Sequence, residues 1–405
     1  MKILQINCVY GSGSTGKITR DIHMNLVERH IDSYVCYGRG KETEDTNVIK
    51  VSSDFSSRMR KIFASIDGMP YYFTKWTNKK LEKIIYKLQP DIVHLQCING
   101  YFVDIYRLLK FLKINNFKTI LTLHAEFMYT GGCGYALNCD QWKSGCIKCS
   151  RLKSGLDVLG LDNVKKNYKM MEDSFRKFSQ LIIVGVSEWI SERARNSNIM
   201  RSHNVITIHN GIDTTNIFYP RRTEKIVKKY GIPVDKKIVL SVVPNLTSDL
   251  KGGSLMMKLA NNTKEDWYFV IVGAKEVEKN ISRNMLVVPY TESQDELAEI
   301  YSLADVFVLG SKMDNYPTVC LEANSCGTPV VGFDVGGVKE TIFPNMGEVV
   351  PYGDDELLEK TIAKWINKKK YFSDEILKEV RKKNSKERMT EEYLSLYKEI
   401  AKYGL

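Results

Sequence analysis

Two carboxylates, Asp314 and Glu322, have the residue type and spacing that best fit a ligand site in this sequence. Seven residues separate them, and Pro317 between them is typical of the first position of a helix. A carboxylate beside a helix N-terminus can contact a polar ligand, and one inside the helix can accept hydrogen bonds from vicinal hydroxyls such as those of a ribose. The alternative is that Asp314 is a solvated loop residue and Glu322 a surface residue of the helix.

The elements that must position this pair are a strand, a loop, a short helix and a second strand. Val306 to Leu309 is a short apolar run rich in β-branched residues, as expected of a strand buried on both faces of a parallel sheet. We predict a helix from about Pro317 to Ser325, ended by Gly327. Ligands of open α/β sheets bind beyond the carboxyl ends of the strands, so the loop Gly310 to Tyr316 is expected to face a cleft.

The composition is that of a globular enzyme with two domains. The chain has 405 residues, 43% hydrophobic and 26% charged, which is too long for one ordinary core. The net charge of +11 makes phosphate-bearing ligands or an anionic membrane surface plausible partners, whereas no nucleic-acid-binding motif is present. No run reaches the length of a membrane span, and the apolar start Met1 to Cys8 is too short for a signal peptide. We expect a cytoplasmic protein, either free or peripheral at the inner face of the cell membrane.

The segment Gly11 to Lys17 is predicted to be a glycine-rich loop between a strand and a helix, and it nearly matches a P-loop. Ile18 stands where a P-loop has the Ser or Thr that holds magnesium, and no second metal-binding element follows. Backbone N–H groups around Gly16 can still bind a phosphate. A phosphotransferase or ATPase that uses this loop remains an alternative, as does a non-catalytic module that binds a sugar nucleotide.

The stretch Phe55 to Gln89 is predicted to be helical, and it is both basic and aromatic. Such a face can lie on an anionic membrane. The alternative is an ordinary solvated helix over a core.

Two predicted strands, Asp91 to Gln96 and Lys118 to His124, each carry a histidine near the carboxyl end. A single histidine is usually a polar residue whose hydrogen bonds are made within the protein, with no functional role. His124 is the better candidate for a functional role than His94, because it terminates its strand.

A segment without periodicity follows His124 and contains four of the nine cysteines. Their spacing, Cys133-x5-Cys139-x6-Cys146-x2-Cys149, is compatible with a tetrahedral structural zinc site. The alternative is four reduced cysteines in a loop, since disulfides are disfavoured in the cytosol.

The second half of the chain restarts the alternation of strands and helices. Lys251 precedes its first helix, where a cation can neutralise a diphosphate, although a surface lysine is the simple alternative. Tyr290 follows a predicted strand, where it can contact a base or serve only in packing.

These motifs together resemble the family-4 retaining glycosyltransferases of GT-B fold, the glycosyl transferases group 1. The family signature is a pair of carboxylates with seven residues between them, usually both Glu, and a tail like Ala323 to Val331; here the first carboxylate is Asp314. The tetrapeptide Asn210 to Asp213 resembles the family's domain linker, and the cysteine segment resembles an insert of polysaccharide-biosynthesis members. The family often has an arginine where this chain has Pro244 and Asn245, which leaves Lys251 as the main cation.

The resemblance implies an α/β protein of two Rossmann-like domains whose parallel sheets face each other across a cleft. Residues 1–213, with the cysteine insert at about 125–152 and a returning helix at about 385–405, are expected to bind the acceptor. Residues 214–384 are expected to bind the donor.

The implied activity is transfer of a sugar, with retention, from a UDP or GDP type sugar donor to a saccharide or lipid-linked saccharide acceptor. Synthesis of bacterial capsule, exopolysaccharide or O-antigen is the expected setting, and no catalytic metal is expected. His124, Asp314 and Lys251 are the predicted catalytic residues. The residues predicted to contact the donor are Gly16, Lys251, Tyr290, Asn315, Tyr316, Pro317, Thr318 and Glu322.

Overall fold

The computed structural model describes residues 1–72, 74–263, 265–274, 281–368 and 372–403. It divides into two units. Unit 1 comprises Met1–His209 and Met389–Leu405, and unit 2 comprises Asn210–Arg388. Among the described residues, no helix combines the length and the apolar character that a bilayer span needs.

Unit 1 is built on a seven-stranded parallel sheet in the order β3-β2-β1-β4-β5-β6-β7. Its strands are β1 (Lys2–Val9), β2 (Asp32–Arg39), β3 (Val48–Lys50), β4 (Ile92–Leu95), β5 (Thr119–Leu123), β6 (Leu181–Gly185) and β7 (Asn204–Thr207). All residues of β4, β5 and β6 are buried, which explains why their sequences are almost continuous apolar runs.

The helices of unit 1 follow the strands along the chain. They are α1 (Gly13–Glu28), α2 (Asp54–Asp67), α3 (Lys75–Leu88), α4 (Ile105–Ile114), α5 (Leu152–Leu156), α6 (Val164–Phe175) and α7 (Glu188–Asn196). The single helix predicted over Phe55 to Gln89 is wrong, because the chain leaves the helix at Gly68, whose φ is 63°, and Pro70 follows. The cysteine segment contains α5 and two short 3-10 turns in addition to irregular backbone.

Unit 2 is built on a six-stranded parallel sheet in the order β10-β9-β8-β11-β12-β13. Its strands are β8 (Lys237–Val242), β9 (Trp267–Val272), β10 (Met285–Val288), β11 (Val306–Leu309), β12 (Val330–Phe333) and β13 (Gly347–Val350). Its helices are α8 (Glu224–Tyr230), α9 (Gly253–Asn262), α10 (Gln294–Leu303), α11 (Thr318–Ser325), α12 (Val338–Thr341), α13 (Asp355–Ile366) and α14 (Asp374–Asn384). The fold class predicted from the sequence, two α/β units with parallel sheets, is confirmed.

The last helix, α15 (Lys386–Tyr403), packs on the sheet of unit 1 through buried polar contacts. The Nδ1 atom of His94 lies 2.6 Å from Tyr397 Oη, and its Nε2 atom lies 2.8 Å from Thr122 Oγ1. Burial lowers the pKa of His94 to about 3, and the nearby His124 adds to this effect, so the ring is neutral at ordinary pH. His94 is therefore a satisfied core histidine. Residues 404 and 405 of the predicted helix lie outside the described residues.

Both sheets contain a point at which the strand order reverses. In unit 1 the reversal lies between β1 and β4, and in unit 2 it lies between β8 and β11. The loops after these neighbouring strands leave the same edge of the sheet but run to opposite sides of it, which opens a crevice where ligands of such folds bind. Apart from Tyr290, the residues predicted to contact the donor or to be catalytic follow strands at or next to these two points.

Candidate active site

The loops after β8 and β11 contact each other at the reversal point of unit 2. The N–H of Lys312 donates to the carbonyl oxygen of Leu250 at 3.0 Å. Gly252 has a φ of 81°, and a Cβ at this position would lie 2.4 Å from the carbonyl carbon of Gly310. Only glycine fits this approach of two backbones without strain. The glycine therefore lets the loop that carries Lys251 close onto the loop that carries Asp314.

Lys251 and Asp314 form an ion pair at this place. The Nζ of Lys251 lies 2.7 Å from Oδ2 of Asp314, and the two side chains are 30% and 18% exposed. The loop after β12 fixes the position of Asp314, because the N–H of Gly337 donates to the Asp314 carbonyl oxygen at 3.0 Å. Loops from three adjacent strands thus build the pair, and its partial exposure leaves it accessible to an anionic ligand. The sequence predicted both residues for the site but did not predict that they contact each other.

Glu322 lies on α11 and is nearly buried. Its Oε2 accepts a hydrogen bond from the hydroxyl of Tyr301, on α10, at 2.9 Å. Burial raises the pKa of Tyr301 well above its ordinary value, and the charge of Glu322 adds to this effect. A carboxylate offers about four lone-pair positions, so the bond from Tyr301 orients Glu322 and uses one of them.

Both predicted carboxylates also act on the buried thiol of Cys320. Burial is the main reason why the pKa of this thiol is raised, and the charges of Asp314 and Glu322 raise it further. The two carboxylates therefore lie in the neighbourhood of the same side chain, as their spacing in sequence predicts.

The residues between the two carboxylates lead into α11. Asn315 and Tyr316 are buried, Pro317 is the N-cap residue, and Thr318 is the first residue of the helix. The helix therefore begins one residue later than predicted. Because the side chains of Asn315 and Tyr316 point into the protein, a ligand at the surface would meet the backbone of this segment.

The fold does not place Tyr290 near the Lys251–Asp314 ion pair. It follows β10, at the edge of the sheet, and its side chain is 63% exposed. Three strand spacings separate β10 from β11, or roughly 14 Å. Tyr290 lies far from the ion pair.

In unit 1, His124 follows β5 and ends a chain of buried side-chain amides. Its Nε2 lies 2.9 Å from Oε1 of Gln96, and Nε2 of Gln96 donates to Oε1 of Gln5 at 3.2 Å. Nε2 of Gln5 donates in turn to the carbonyl oxygen of Thr19 in α1. An amide oxygen can only accept, so the ring proton of His124 is on Nε2 and Nδ1 is the acceptor of the ring. Burial lowers the pKa of His124 to about 4, which keeps the imidazole neutral.

The sequence did not predict the role of Gln5 and Gln96. Both are fully buried in or directly after strands that are otherwise apolar. A polar residue in a strand that is buried on both faces needs a hydrogen-bond partner. A glutamine within or directly after an apolar strand was therefore the sequence feature that could have indicated a buried hydrogen-bond network.

Gly16 lies inside α1, which begins at Gly13, so the loop predicted over Gly11 to Lys17 is wrong. The N–H of Gly11 donates to the carbonyl oxygen of Gly16 at 2.9 Å. A Cβ on Gly16 would lie 3.0 Å from Cγ2 of Val9, so this position favours glycine. In a P-loop the lysine stands where the loop enters the helix, whereas Lys17 already lies beyond the first turn of α1. This geometry argues against the phosphotransferase alternative.

A buried ion pair fixes the start of the cysteine segment beside His124. Glu126 is fully buried and accepts hydrogen bonds from Nε of Arg193, the hydroxyl of Tyr129 and the N–H of Ala136, at 2.7, 2.9 and 2.7 Å. The guanidinium group of Arg193 also lies 4.3 Å from the ring centre of Trp142. The segment is therefore anchored to α7 by charge and stacking, although its sequence shows no periodic apolar pattern.

The four cysteines of this segment line one cavity of about 30 Å³. Burial raises the pKa of Cys146 to about 12, and Cys133, Cys139 and Cys149 add to this effect, which shows that the four thiols are neighbours. The cavity is large enough for one ion or a water molecule. Among the described residues, however, no group of three or more His, Cys, Asp or Glu side chains stands in metal-ligand geometry. The structural zinc site stays a prediction.

Comparison with known proteins agrees with this architecture. The sequence model of the family "Glycosyl transferases group 1" matches residues 222–388. A protein of Escherichia coli (strain K12), named as the colanic acid biosynthesis glycosyl transferase WcaC, is 21% identical over 377 residues, which cover 89% of each chain. The N,N'-diacetylbacillosaminyl-diphospho-undecaprenol alpha-1,3-N-acetylgalactosaminyltransferase of Campylobacter jejuni is 28% identical over 176 residues, 42% of this chain and 46% of that one.

Two solved structures share the fold over almost the whole chain. A sucrose-phosphate synthase of Thermosynechococcus elongatus superposes with a TM-score of 0.70 at 14% identity and covers 99% of both chains. HepE of Anabaena, solved in complex with UDP-glucose, superposes with a TM-score of 0.66 at 13% identity and covers 98% of this chain and 99% of its own. The family match, the relative that spans most of the chain and the two parallel sheets agree: the chain is a glycosyltransferase with the GT-B fold, and its residues 222–388 match the group 1 family.

Proposed function

We propose that this glycosyltransferase moves a sugar from a nucleoside diphosphate sugar, of UDP or GDP type, to a saccharide or lipid-linked saccharide. The observation that carries the proposal is the Lys251–Asp314 pair at the reversal point of the sheet in unit 2. A partly exposed ammonium group at the carboxyl ends of parallel strands suits a diphosphate.

Lys251 has the task of stabilising the leaving group. Transfer breaks the bond between the anomeric carbon and the diphosphate oxygen and forms a bond from that carbon to an acceptor hydroxyl, which releases its proton. Negative charge builds up on the departing diphosphate. An ammonium group that Asp314 already holds in place offsets this charge without reorganisation during the reaction. The proposal therefore includes no catalytic metal.

Glu322 has the task of holding the ribose. Charge-assisted hydrogen bonds from two vicinal hydroxyls to one carboxylate are stronger than neutral ones. Tyr301 orients this carboxylate from the protein side.

His124 has the task of contacting the sugar as a neutral ring. The chain of amides through Gln96 fixes its tautomer, so Nδ1 can accept a hydrogen bond from a sugar hydroxyl. A neutral ring also avoids placing a positive charge next to a sugar that develops oxocarbenium character.

The proposals of retention at the anomeric carbon and of the acceptor class rest on similarity to other proteins and not on the geometry of the site. Retention follows from the resemblance to family-4 transferases. The names of two bacterial relatives refer to colanic acid biosynthesis and to a diphospho-undecaprenol acceptor, which supports synthesis of a bacterial polysaccharide.

The experiment is a donor screen with the full chain. Thermal unfolding is measured with UDP, GDP and their common sugars, each active donor is incubated with candidate acceptors, and products are identified by mass spectrometry and anomeric NMR. We expect one nucleotide class to raise the Tm and to release its diphosphate with an acceptor, giving a product with retained configuration. Binding without turnover on any acceptor would favour the non-catalytic module, and magnesium-dependent ATP hydrolysis would favour the phosphotransferase.

A further inference from the structure

Two cysteines that the proposed reaction does not use meet at the reversal point of the sheet in unit 1. Cys8 lies near the end of β1, and Cys97 follows β4 by two residues. The N–H of Cys8 donates to the carbonyl oxygen of Cys97 at 2.8 Å, so the two backbones are direct neighbours. The two thiols also form a hydrogen bond with each other. We call Cys8 and Cys97 the thiol pair.

The spacing of the thiol pair suits a disulfide. Neighbouring strands of a sheet lie roughly 4.8 Å apart. A disulfide joins residues whose Cα atoms are about 4.4–6.8 Å apart. The N–H of Cys97 donates to Oδ1 of Asn7 at 3.0 Å, which holds the backbone of Cys97 beside β1. Both cysteines are free thiols in this structure, and a bond between their sulfur atoms lies within reach of the two side chains.

The two thiols differ in character. The hydrogen bond from Cys97 lowers the pKa of Cys8, burial opposes this change, and the positive charge of Arg39 lowers the pKa further, to about 7. The same hydrogen bond, together with burial, raises the pKa of Cys97 well above its usual value. Oδ1 of Asn99, at 3.2 Å from Sγ of Cys97, gives the Cys97 proton a second acceptor. Cys8 is therefore the member of the pair that ionises near neutral pH, and Cys97 stays protonated.

Arg39, the last residue of β2, brings its positive charge to Cys8. Gly100 makes room for this approach, because a Cβ on Gly100 would lie 2.7 Å from Cβ of Cys8 and 3.1 Å from Nε of Arg39. This Nε atom is buried and has no hydrogen-bond partner within the described part of the chain. Asp54 lies within electrostatic range of Arg39, but its carboxylate is already paired with Lys50 at 3.0 Å. The guanidinium group therefore keeps an N–H that can donate to an oxygen atom beside Cys8.

We propose that the thiol pair is a modification site for hydroperoxides, at which Cys8 is oxidised and Cys97 closes a disulfide. The Cys8 thiolate attacks one oxygen of the hydroperoxide: an S–O bond forms, the O–O bond breaks, and the departing hydroxide or alkoxide takes a proton from solvent. The sulfur of Cys97 then attacks the sulfenic acid of Cys8, so that the S–S bond forms, the S–O bond breaks and water leaves. Two thiols are oxidised, and the hydroperoxide is reduced to water or an alcohol.

The surroundings of Cys8 are those of a reactive thiol. Reactive cysteines lie in electropositive places that a reagent can reach, whereas deeply buried structural cysteines are inert. An attacking thiol is most effective when its pKa lies near the ambient pH. Cys8 is 6% exposed at the edge of the sheet, which admits a reagent as small as hydrogen peroxide. Cys36 is the contrast, because it is fully buried within β2 and burial raises its pKa to about 12.

The disulfide acts on the residue that holds His124. Gln96 directly precedes Cys97, and its Oε1 lies 2.9 Å from Nε2 of His124. A bond from Cys97 to Cys8 displaces the backbone next to Gln96, so the imidazole loses its fixed position. Oxidation is therefore expected to lower turnover. This consequence rests on the proposed function, whereas the reactivity of the thiol pair does not.

The test is peptide mapping of the full chain. Reduced protein is treated with hydrogen peroxide, the remaining thiols are blocked with N-ethylmaleimide, and tryptic peptides are identified by mass spectrometry. We expect the peptides of residues 3–17 and 88–107 to be joined, lighter by two hydrogens than the two reduced peptides together, and to separate again in dithiothreitol. The peptide that contains Cys36 should stay reduced.

Variants assign the two roles. Cys97→Ala should stop the reaction at a sulfenic acid on Cys8, which dimedone traps, and Cys8→Ala should leave Cys97 reduced. Arg39→Gln should slow disulfide formation about threefold to tenfold, because a smaller fraction of Cys8 is then thiolate. Cys36→Ala is the matched control and should form the disulfide at the rate of the wild type. Thermal unfolding curves verify the fold of each variant.

The result that overturns the proposal needs no variant. It is a peroxide-treated wild type in which Cys8 and Cys97 both stay reduced while disulfides form only within the cysteine segment. In the second readout, oxidised wild type should lose turnover about tenfold or more and regain it in dithiothreitol, whereas Cys8→Ala with Cys97→Ala should resist peroxide. Full turnover with the disulfide closed contradicts the effect on His124. A reduced chain without turnover on any acceptor contradicts the proposed function, and the peptide map still decides the thiol pair.

Discussion

The ammonium group of Lys251 lies 2.7 Å from the carboxylate of Asp314, although 63 positions separate them in the sequence. The pair exists because β8 and β11 are neighbours in the sheet and their loops leave the same edge. We expect Lys251→Met to weaken binding of the nucleoside diphosphate about tenfold to a hundredfold, the range for loss of a charge-assisted hydrogen bond. Isothermal titration calorimetry with UDP and GDP measures the effect.

The matched control for Lys251 is Lys258 on α9, which pairs with Asp355 at 2.6 Å on an exposed surface of the same unit. Lys258→Met should leave nucleotide affinity unchanged. Equal affinities in the wild type and both variants would remove Lys251 from the donor site. Asp314→Asn keeps the cation but loosens its position, so turnover should fall by a larger factor than donor affinity.

The bond between Tyr301 and Glu322 leads to a prediction that separates stability from donor binding. Glu322→Gln should weaken donor binding by roughly 1.5–3 kcal/mol, because an uncharged amide gives up charge-assisted bonds to the ribose. Tyr301→Phe should lower the free energy of unfolding by about 1–3 kcal/mol, because it leaves a buried carboxylate without one donor. Calorimetry and urea unfolding of both variants measure these quantities.

Tyr230 provides the control for this prediction. Its hydroxyl donates to Oε1 of Glu296 at 2.8 Å, so Tyr230→Phe removes the same kind of bond elsewhere in unit 2. We expect it to change stability and leave donor affinity unaltered. The ribose role of Glu322 is contradicted by a Glu322→Gln variant that binds the donor as tightly as the wild type.

The strands were the part of the fold that the sequence predicted best. Val306 to Leu309 was predicted and observed with the same bounds, because a β-branched run buried on both faces has one clear interpretation. Pro317 and Gly327 also predicted correctly that a short helix follows this strand.

Contacts between segments distant in the sequence were beyond such patterns. The start of α1 at Gly13 was missed for a different reason: the residues around it are small and flexible, and the local bond from the N–H of Gly11 to the carbonyl oxygen of Gly16 has no signature in their helix propensities. The contact between Lys251 and Asp314 can be predicted only when the strand order of the sheet is known. The hydrogen-bonded chain from His124 to Thr19 depends likewise on the relative positions of three strands and a helix. None of these contacts leaves a periodic signal in one sequence.

The buried ring of His94 makes stability depend on pH. Its pKa is lowered to about 3 in the folded chain, whereas an unfolded chain binds this proton near pH 6.5. The unfolded state therefore binds more protons between these values, and the stability present above pH 6.5 is lost as the pH falls. Between pH 7 and about 5.5 we expect His94 to account for about 1 kcal/mol of lost stability.

Urea unfolding of wild type and His94→Gln at the two pH values isolates this contribution. Between pH 7 and about 5.5, the free energy of unfolding of the variant should decrease by about 1 kcal/mol less than that of the wild type. This difference does not depend on the stability of the variant at pH 7. His30→Gln, at an exposed histidine, is the control and should follow the wild type. Identical pH dependence in His94→Gln and wild type would show that the pKa of His94 is not lowered by folding.

Replacing cysteines of the cysteine segment is expected to change the metal content, the local order and the turnover of the protein together. Four thiols line one small cavity, and the segment begins two residues after His124, at Glu126. If zinc binds there, the metal supplies folding energy to a loop that buries too little periodic apolar surface to order itself. Cys146→Ser with Cys149→Ser should lower the zinc content towards zero and increase proteolysis between Thr130 and Leu152. Turnover should decrease more than donor affinity, because the segment directly follows His124 in the chain, whereas the proposed donor-binding residues Lys251 and Glu322 belong to unit 2.

Elemental analysis of protein purified without added metal, limited proteolysis and titration of native thiols measure these effects. Cys36→Ala is the control, because Cys36 is buried within β2 and does not line the cavity. This variant should retain the zinc content of the wild type. Its Tm can still fall, because removing the buried sulfur leaves a cavity that destabilises the fold without affecting metal ligands. A wild-type chain with almost no zinc and four freely titrating thiols in the segment would contradict the prediction. The anchoring of the segment would then depend on contacts such as those of Glu126, Arg193 and Trp142 and not on the cysteines, so Arg193→Ala should loosen it whereas Cys146→Ser with Cys149→Ser should not.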